Sequence, residues 1–285
     1  MAVVVVVHGI AKQFLGPQTL QGSIAPAVVD GVRLAEGPSL AVDDVEVAFY
    51  GHLFRKPGTK GTSQSPPADP FEAQLLQAMW AQAAKNEPDR IPPPPDPSET
   101  TKAAVPRFVQ RAFLALSRSR FTARNPDRFM MGVLAQVRRY LTEPDLREEV
   151  QRWVAETVTS DTRVIVGHSL GSVVAYEALC AHPEWPVTTF VTIGSPLGIP
   201  NLVFDRLRPR PEKGTGAWPA GVNSWTNLCD AYDVVALVKE LAPLFGNGPH
   251  RIEDVPVHNG WEAHAIEHHL TAKETGAAIA AGLTT

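Results

Sequence analysis

Apolar residues in this chain follow two patterns. The first is the short continuous run bounded by turn residues. Val3 to Val7 is an unbroken β-branched run, as expected of a strand buried on both faces of a parallel sheet. Runs at 163–166, 187–193 and 224–229 repeat it, and 42–50 and 251–257 complete the predicted strands. The second pattern recurs at helical spacing. Pro17 to Leu34 places Leu20, Ile24, Ala27, Val28 and Gly31 near one face. Val105, Phe108, Val109, Ala112, Phe113 and Leu116 recur at i, i+3, i+4, i+7, i+8 and i+11, a strict amphipathic stripe. Further helices are predicted over 71–80, 129–141, 146–158, 172–181 and 264–281, with Pro144 near the first turn of its helix. The run 234–241 reads as a short helix or an irregular apolar stretch.

Strands alternating with helices predict an α/β fold: a mostly parallel sheet with helices on both faces. Residues 62–145 break the alternation. Pro66-Pro67 and the Pro-rich run 91–97 cannot form packed elements, and only helical patterns lie beside them. The chain therefore reads as a single domain over 1–285, with 62–145 as a Pro-rich helical insertion.

Composition narrows the class. Of 285 residues, 44% are hydrophobic and 20% charged, enough for one large core. A net charge of −4 gives no reason to expect nucleic-acid binding. The two cysteines, Cys180 and Cys229, read as core residues, and so few allow no metal or disulfide framework. Ala2 to Val7 lacks a basic flank and is too short for a signal h-region. No stretch has the length of a membrane span. These features lead to the expectation of a cytoplasmic protein.

Candidate chemistry centres on Gly167-His168-Ser169-Leu170-Gly171, a Gly-x-Ser-x-Gly turn between a predicted strand and a predicted helix. In that context the pattern signifies a nucleophile elbow, a strained turn that exposes the serine hydroxyl. A serine needs a histidine base and a carboxylate to orient it. The carboxylate should follow the 224–229 strand, where Asp233 is favoured and Asp230 is the alternative, reading otherwise as a cap. The base should lie near the start of the last helix. His264 is favoured there, with His258 second. The oxyanion donors expected are the backbone N–H of Leu170, directly after the nucleophile, and that of Ile10, in the turn after the first strand.

Val7-His8-Gly9-Ile10, Gly167–Gly171 and Gly194-Ser195-Pro196-Leu197 together resemble the α/β-hydrolase superfamily, particularly its lipase and esterase branch. The resemblance covers 1–60 and 144–285 and leaves out the insertion. It implies a Ser-His-Asp triad, no cofactor, and hydrolysis of an ester. Many members carry a proline after the acid where this chain has Val234. Ala263-His264-Ala265 is similar to the family's start of the last helix.

The insertion stands where the family often has a lid. Arg107, Arg111, Arg118, Arg120, Arg124 and Arg128 make it locally basic. A basic amphipathic helix can lie on anionic lipid, although a solvated face is the simpler reading. Trp218, Trp225 and Trp261 flank the site loops. The expected partner is a small-molecule or lipid ester. Two other functions fit the same sequence: an acyltransferase using the same triad, and an inactive interaction module on a hydrolase scaffold.

Overall fold

A computed structural model describes residues 2–55, 69–95, 105–119, 126–246, 250–260 and 262–284. Six strands run β1 (Val4–Val7), β2 (Val45–Ala48), β3 (Val164–His168), β4 (Thr189–Ile193), β5 (Ser224–Asp230) and β6 (Glu253–Val257). They form one sheet of order β2-β1-β3-β4-β5-β6, in which every neighbouring pair is parallel. The fold class is therefore α/β.

The β-branched runs form strands because both faces of the sheet are covered. Val5, Val7, Ile165 and Phe190 face one core; Val4, Val6, Val164, Val166 and Val191 face the other. α1 (Pro17–Leu34), α7 (Ile266–Thr271) and α8 (Lys273–Leu283) cover the second side. α5 (Pro144–Thr157) and α6 (Leu170–Ala181) cover the first. Burying each valine of β1 contributes on the order of 2 kcal/mol. The outer strand β6 carries Pro256 and an exposed Glu253.

Between β2 and β3 the chain forms α2 (Pro70–Asn86), α3 (Val105–Leu116) and α4 (Pro126–Thr142). Leu76, Met79, Val109, Ala112, Leu134 and Tyr140 of these helices join the core that α5 and α6 face. α2 starts where Asp69 accepts the Phe71 N–H at 2.8 Å, an N-cap. At the far end of this segment, Tyr140 donates to Glu177 Oε2 (2.7 Å) and Arg147 Nε donates to the same oxygen (2.9 Å). The Arg208 N–H donates to Oε1 at 3.0 Å. Glu177 is thus a buried carboxylate with its acceptor positions occupied, and it ties α4, α5 and α6 together. Removing one partner of such a pair typically costs about 3–5 kcal/mol.

Two elements differ from the sequence expectation. Residues 42–44 form a 3₁₀ turn rather than the start of β2, because the Asp44 carboxylate accepts the Ala41 N–H at 2.9 Å and closes a turn there. The last helix is two helices, broken at Ala272, whose backbone is extended (φ −64°, ψ 135°). The break lets both short helices pack against α1. Residues 234–241 are irregular. Residues 96–97 of the Pro-rich run and 62–68 lie outside the described residues. Among the described residues, no helix is long and apolar enough to cross a membrane.

Candidate active site

The strand order reverses between β1 and β3: the chain leaves β1 toward β2 on one side and leaves β3 toward β4 on the other. In open α/β sheets the crevice at the carboxyl ends of such strands is where ligands bind. The Ser169 elbow and the turn at Gly9 to Ala11 both lie at this end.

Ser169 follows β3 and precedes α6 with φ 52° and ψ −130°, a conformation that a non-glycine residue keeps only when its surroundings hold it. Its N–H donates to Ile193 O (3.1 Å), and its carbonyl accepts from the Ser172 N–H (2.9 Å) and the Ser172 hydroxyl (2.6 Å). Ser195 Oγ lies 2.7 Å from Ser172 Oγ and accepts the Leu197 N–H. These bonds tie the elbow to the loop after β4. Gly171 makes the packing possible: a Cβ there would stand 2.2 Å from Val7 O. Ser169 is 1% exposed, and its hydroxyl has no hydrogen-bond partner among the described residues. Buried hydroxyls are normally partnered, so this one calls for a chemical explanation.

Asp233 and His264 meet. His264 Nδ1 lies 2.7 Å from Asp233 Oδ2, which fixes the proton on Nδ1 and leaves Nε2 as the basic nitrogen. Asp233 Oδ1 accepts the N–H groups of Val235 (2.8 Å) and Ala236 (3.4 Å). Lys239 Nζ reaches the carbonyls of Asp230 and Asp233. Burial works to raise the Asp233 pKa. The charge and hydrogen bond of His264, followed by the charge of Lys239, outweigh burial and hold it below the usual carboxylate value. Gly194 (φ 55°) passes directly over the pair: a Cβ there would lie 2.8 Å from Asp233 Oδ2 and 2.9 Å from His264 Nδ1.

His168 connects this pair to the elbow. Its Nε2 donates to the His264 carbonyl at 2.9 Å, and the two rings are 4.7 Å apart. Burial, then the neighbouring His264 and His269, push the His168 pKa well below its usual value. His269, also buried, is pushed down to about 4 and bonds Ala263 O. Both brace the segment that carries His264.

The turn after β1 lies against Ser169: a Cβ on Gly9 would be 2.8 Å from Ser169 Cβ. His8 orients this turn. Its Nε2 accepts the Tyr50 N–H (3.3 Å), so its proton sits on Nδ1, which donates to Gly9 O (2.5 Å). Tyr50 stacks on the His8 ring at 4.2 Å, and its hydroxyl donates to His8 O. Burial pushes the His8 pKa down to about 4. Among the described residues, neither the Ile10 N–H nor the Leu170 N–H donates to a backbone carbonyl.

Asp230 and His258 stand apart from this arrangement. Asp230 accepts the N–H groups of Tyr232 (2.8 Å) and Asn259 (2.6 Å), bracing the turn after β5 and the loop after β6. His258 is 80% exposed and lies 3.8 Å from Asp230. Trp225 belongs to an aromatic core with Tyr176, Phe190 and Phe245, and Trp218 packs on it. Trp261 lies outside the described residues, as do residues 120–125 and the side chains of Arg107 and Arg128; Arg111 and Arg118 are exposed. Sequence reasoning missed the bracing by Ser172, Tyr50 and Lys239, which lie in no recognisable motif. Ser195 lies in a stretch that carries the family resemblance, but its bond to Ser172 is not legible there. Among the described residues, no group of three His, Cys, Asp or Glu side chains is placed to hold a metal. No protein-family model matches the chain, and no curated protein matches it.

Proposed function

We propose that this protein is a serine hydrolase of α/β-hydrolase type that cleaves a carboxylic ester, small or lipid, through an acyl-enzyme. The observation that carries this reading is the buried Asp233–His264 hydrogen bond, joined through the His168 ring, 4.7 Å from that of His264, to the strained, buried Ser169 that follows His168. Ser169 Oγ attacks the ester carbonyl while His264 Nε2 takes its proton. Asp233 holds the imidazole in the required tautomer and stabilises the imidazolium that forms. The N–H groups of Ile10 and Leu170 receive the oxyanion. His264 then passes its proton to the departing alkoxide. In the second half, water gives a proton to His264 and attacks the acyl carbonyl; the proton returns to Ser169 Oγ as the acid leaves.

Asp230 is given no role in the chemistry, and neither is His258. Ser169 and His264 are both buried, so substrate enters only after some part of the surroundings moves. In this reading the inserted helices stand in the place of a lid. Their α4 end is held to α5 and α6 through Glu177, and α2 is held to α4 through Arg138, whose Nε donates to Glu72 Oε1 at 2.8 Å.

The test is covalent labelling with a fluorophosphonate, mapped by mass spectrometry, together with turnover of p-nitrophenyl esters from C2 to C16. The adduct is expected on Ser169. Ser169→Ala should abolish labelling and lower turnover by at least about 10⁴-fold. Unchanged ester hydrolysis in that variant would falsify the reading.

A further inference from the structure

Gln136 is a polar residue of α4 that is only 6% exposed. Its Oε1 accepts the N–H of Ala11, 125 positions earlier, at 3.2 Å. Its Nε2 donates to Gln13 Oε1 at 3.0 Å. Both contacts fall on the turn after β1, and the first adjoins Ile10.

Ile10 lies between two peptide planes. His8 Nδ1 holds the carbonyl of the Gly9–Ile10 plane. In a trans peptide the C=O and N–H point in opposite directions, so this bond sends the Ile10 N–H away from the His8 ring. Gln136 holds the N–H of the Ile10–Ala11 plane. With both planes fixed, φ and ψ of Ile10 are fixed, and so is the direction of its N–H. Ala11 has φ 62°, a left-handed conformation that alanine keeps only under external constraint. Gln136 supplies a constraint at that residue. If it is lost, the second plane is released and Ala11 can relax, which leaves the plane carrying the Ile10 N–H held by the single His8 bond and free to shift as the chain beyond it moves.

We propose that Gln136 is a positioning residue for acyl transfer, fixing the turn that presents the Ile10 N–H to the oxyanion. The proposal rests on reading that N–H as an oxyanion donor. It also gives the α4 end of the inserted segment a fixed task, that of bracing the turn after β1.

The experiment uses the full chain with Gln136→Met, which keeps the bulk and removes both hydrogen bonds. Deleting an oxyanion donor costs about 10²–10³-fold in turnover; misdirecting one is expected to cost about tenfold in kcat, with KM within about twofold. Affinity for an alkyl boronic acid, whose serine adduct is tetrahedral, should weaken by a similar factor. Gln136→Glu should recover most of the loss, because its carboxylate accepts the Ala11 N–H and Gln13 can turn its amide to donate. Hydrogen exchange at Ala11 should quicken in Gln136→Met and return toward normal in Gln136→Glu. If Gln136→Met does not fold, Gln13→Ala removes the outer contact instead, and about a threefold fall in kcat with faster Ala11 exchange is expected. Unchanged kcat, a change in KM alone, or unchanged Ala11 exchange in the folded variant overturns the proposal. A wild-type protein that neither hydrolyses esters nor takes a fluorophosphonate on Ser169 overturns the functional reading and this proposal together. An active wild type beside an unaltered Gln136→Met overturns this proposal alone.

Discussion

The Ser169 elbow and the turn after β1 touch each other, yet they are held in opposite ways. The elbow is built by its own strand, its own helix and the adjoining β4 loop: Ser172, three residues on, bonds the Ser169 carbonyl twice, and Ile193 and Ser195 close the other side. The Asp233 turn is similar, because the carboxylate is braced by N–H groups two and three residues further on. The turn after β1 takes its shape from side chains and backbone far along the chain: Tyr50, whose N–H bonds the His8 ring from 42 residues away, and Gln136, 125 residues from Ala11. Two turns that touch can thus be held mainly by bonds from neighbouring elements on one side and by distant tertiary contacts on the other.

The largest effect tests the local side. Asp233→Asn should lower kcat by about 10⁴-fold, because an amide does not hold His264 in the tautomer that leaves Nε2 basic. Asp230→Asn, which alters an equally buried carboxylate, should leave kcat within about tenfold and cost about 1–3 kcal/mol of stability through the Asn259 and Tyr232 bonds. Steady-state kinetics and urea unfolding of the pair separate the two roles. Equal losses of kcat would erase the distinction between these aspartates.

Gly171→Ala probes the elbow's packing. Its Cβ would meet Val7 O at 2.2 Å, backbone that cannot turn aside. A loss of about 3 kcal/mol in urea unfolding is expected. A variant as stable as the parent would show that α6 and β1 are less tightly joined than described.

The smallest effect per step concerns acid. His8 and His269 are buried and neutral, with pKa values near 4 against 6.5 for an ordinary histidine. Below pH 6.5 the unfolded chain takes up protons that the folded chain refuses. Stability is therefore full above that pH and falls as pH drops toward 4, by about 1.4 kcal/mol per pH unit for each histidine. A protonated His8 Nε2 can no longer accept the Tyr50 N–H, so the turn after β1 should loosen directly. A Tm that stays level from pH 6.5 to 4 would contradict this account of both histidines.

The same division explains what could be read from the sequence. The α/β class, the six strands and the position of Ser169 are local facts, carried by valine runs and by glycines at fixed spacing around one serine. Asp233 and Asp230 both follow from β5, and only their partners separate them: His264, 31 residues on, for one and the Asn259 N–H, 29 residues on, for the other. No local pattern encodes those distances. Tyr50 and Gln136 look like ordinary residues of a strand end and an amphipathic helix until the chain is folded. The break at Ala272 is equally hidden, since alanine is a good helix former and the interruption serves packing on α1.

The outer strand of the sheet has a consequence for association. Among the described residues no strand pairs with the outer edge of β6, where Pro256 has no N–H to give and the Glu253 carboxylate is exposed. A strand from a second copy added there would lack a donor and have to desolvate a carboxylate. Growth into a continuous intermolecular sheet is therefore disfavoured at the β6 end of the described sheet.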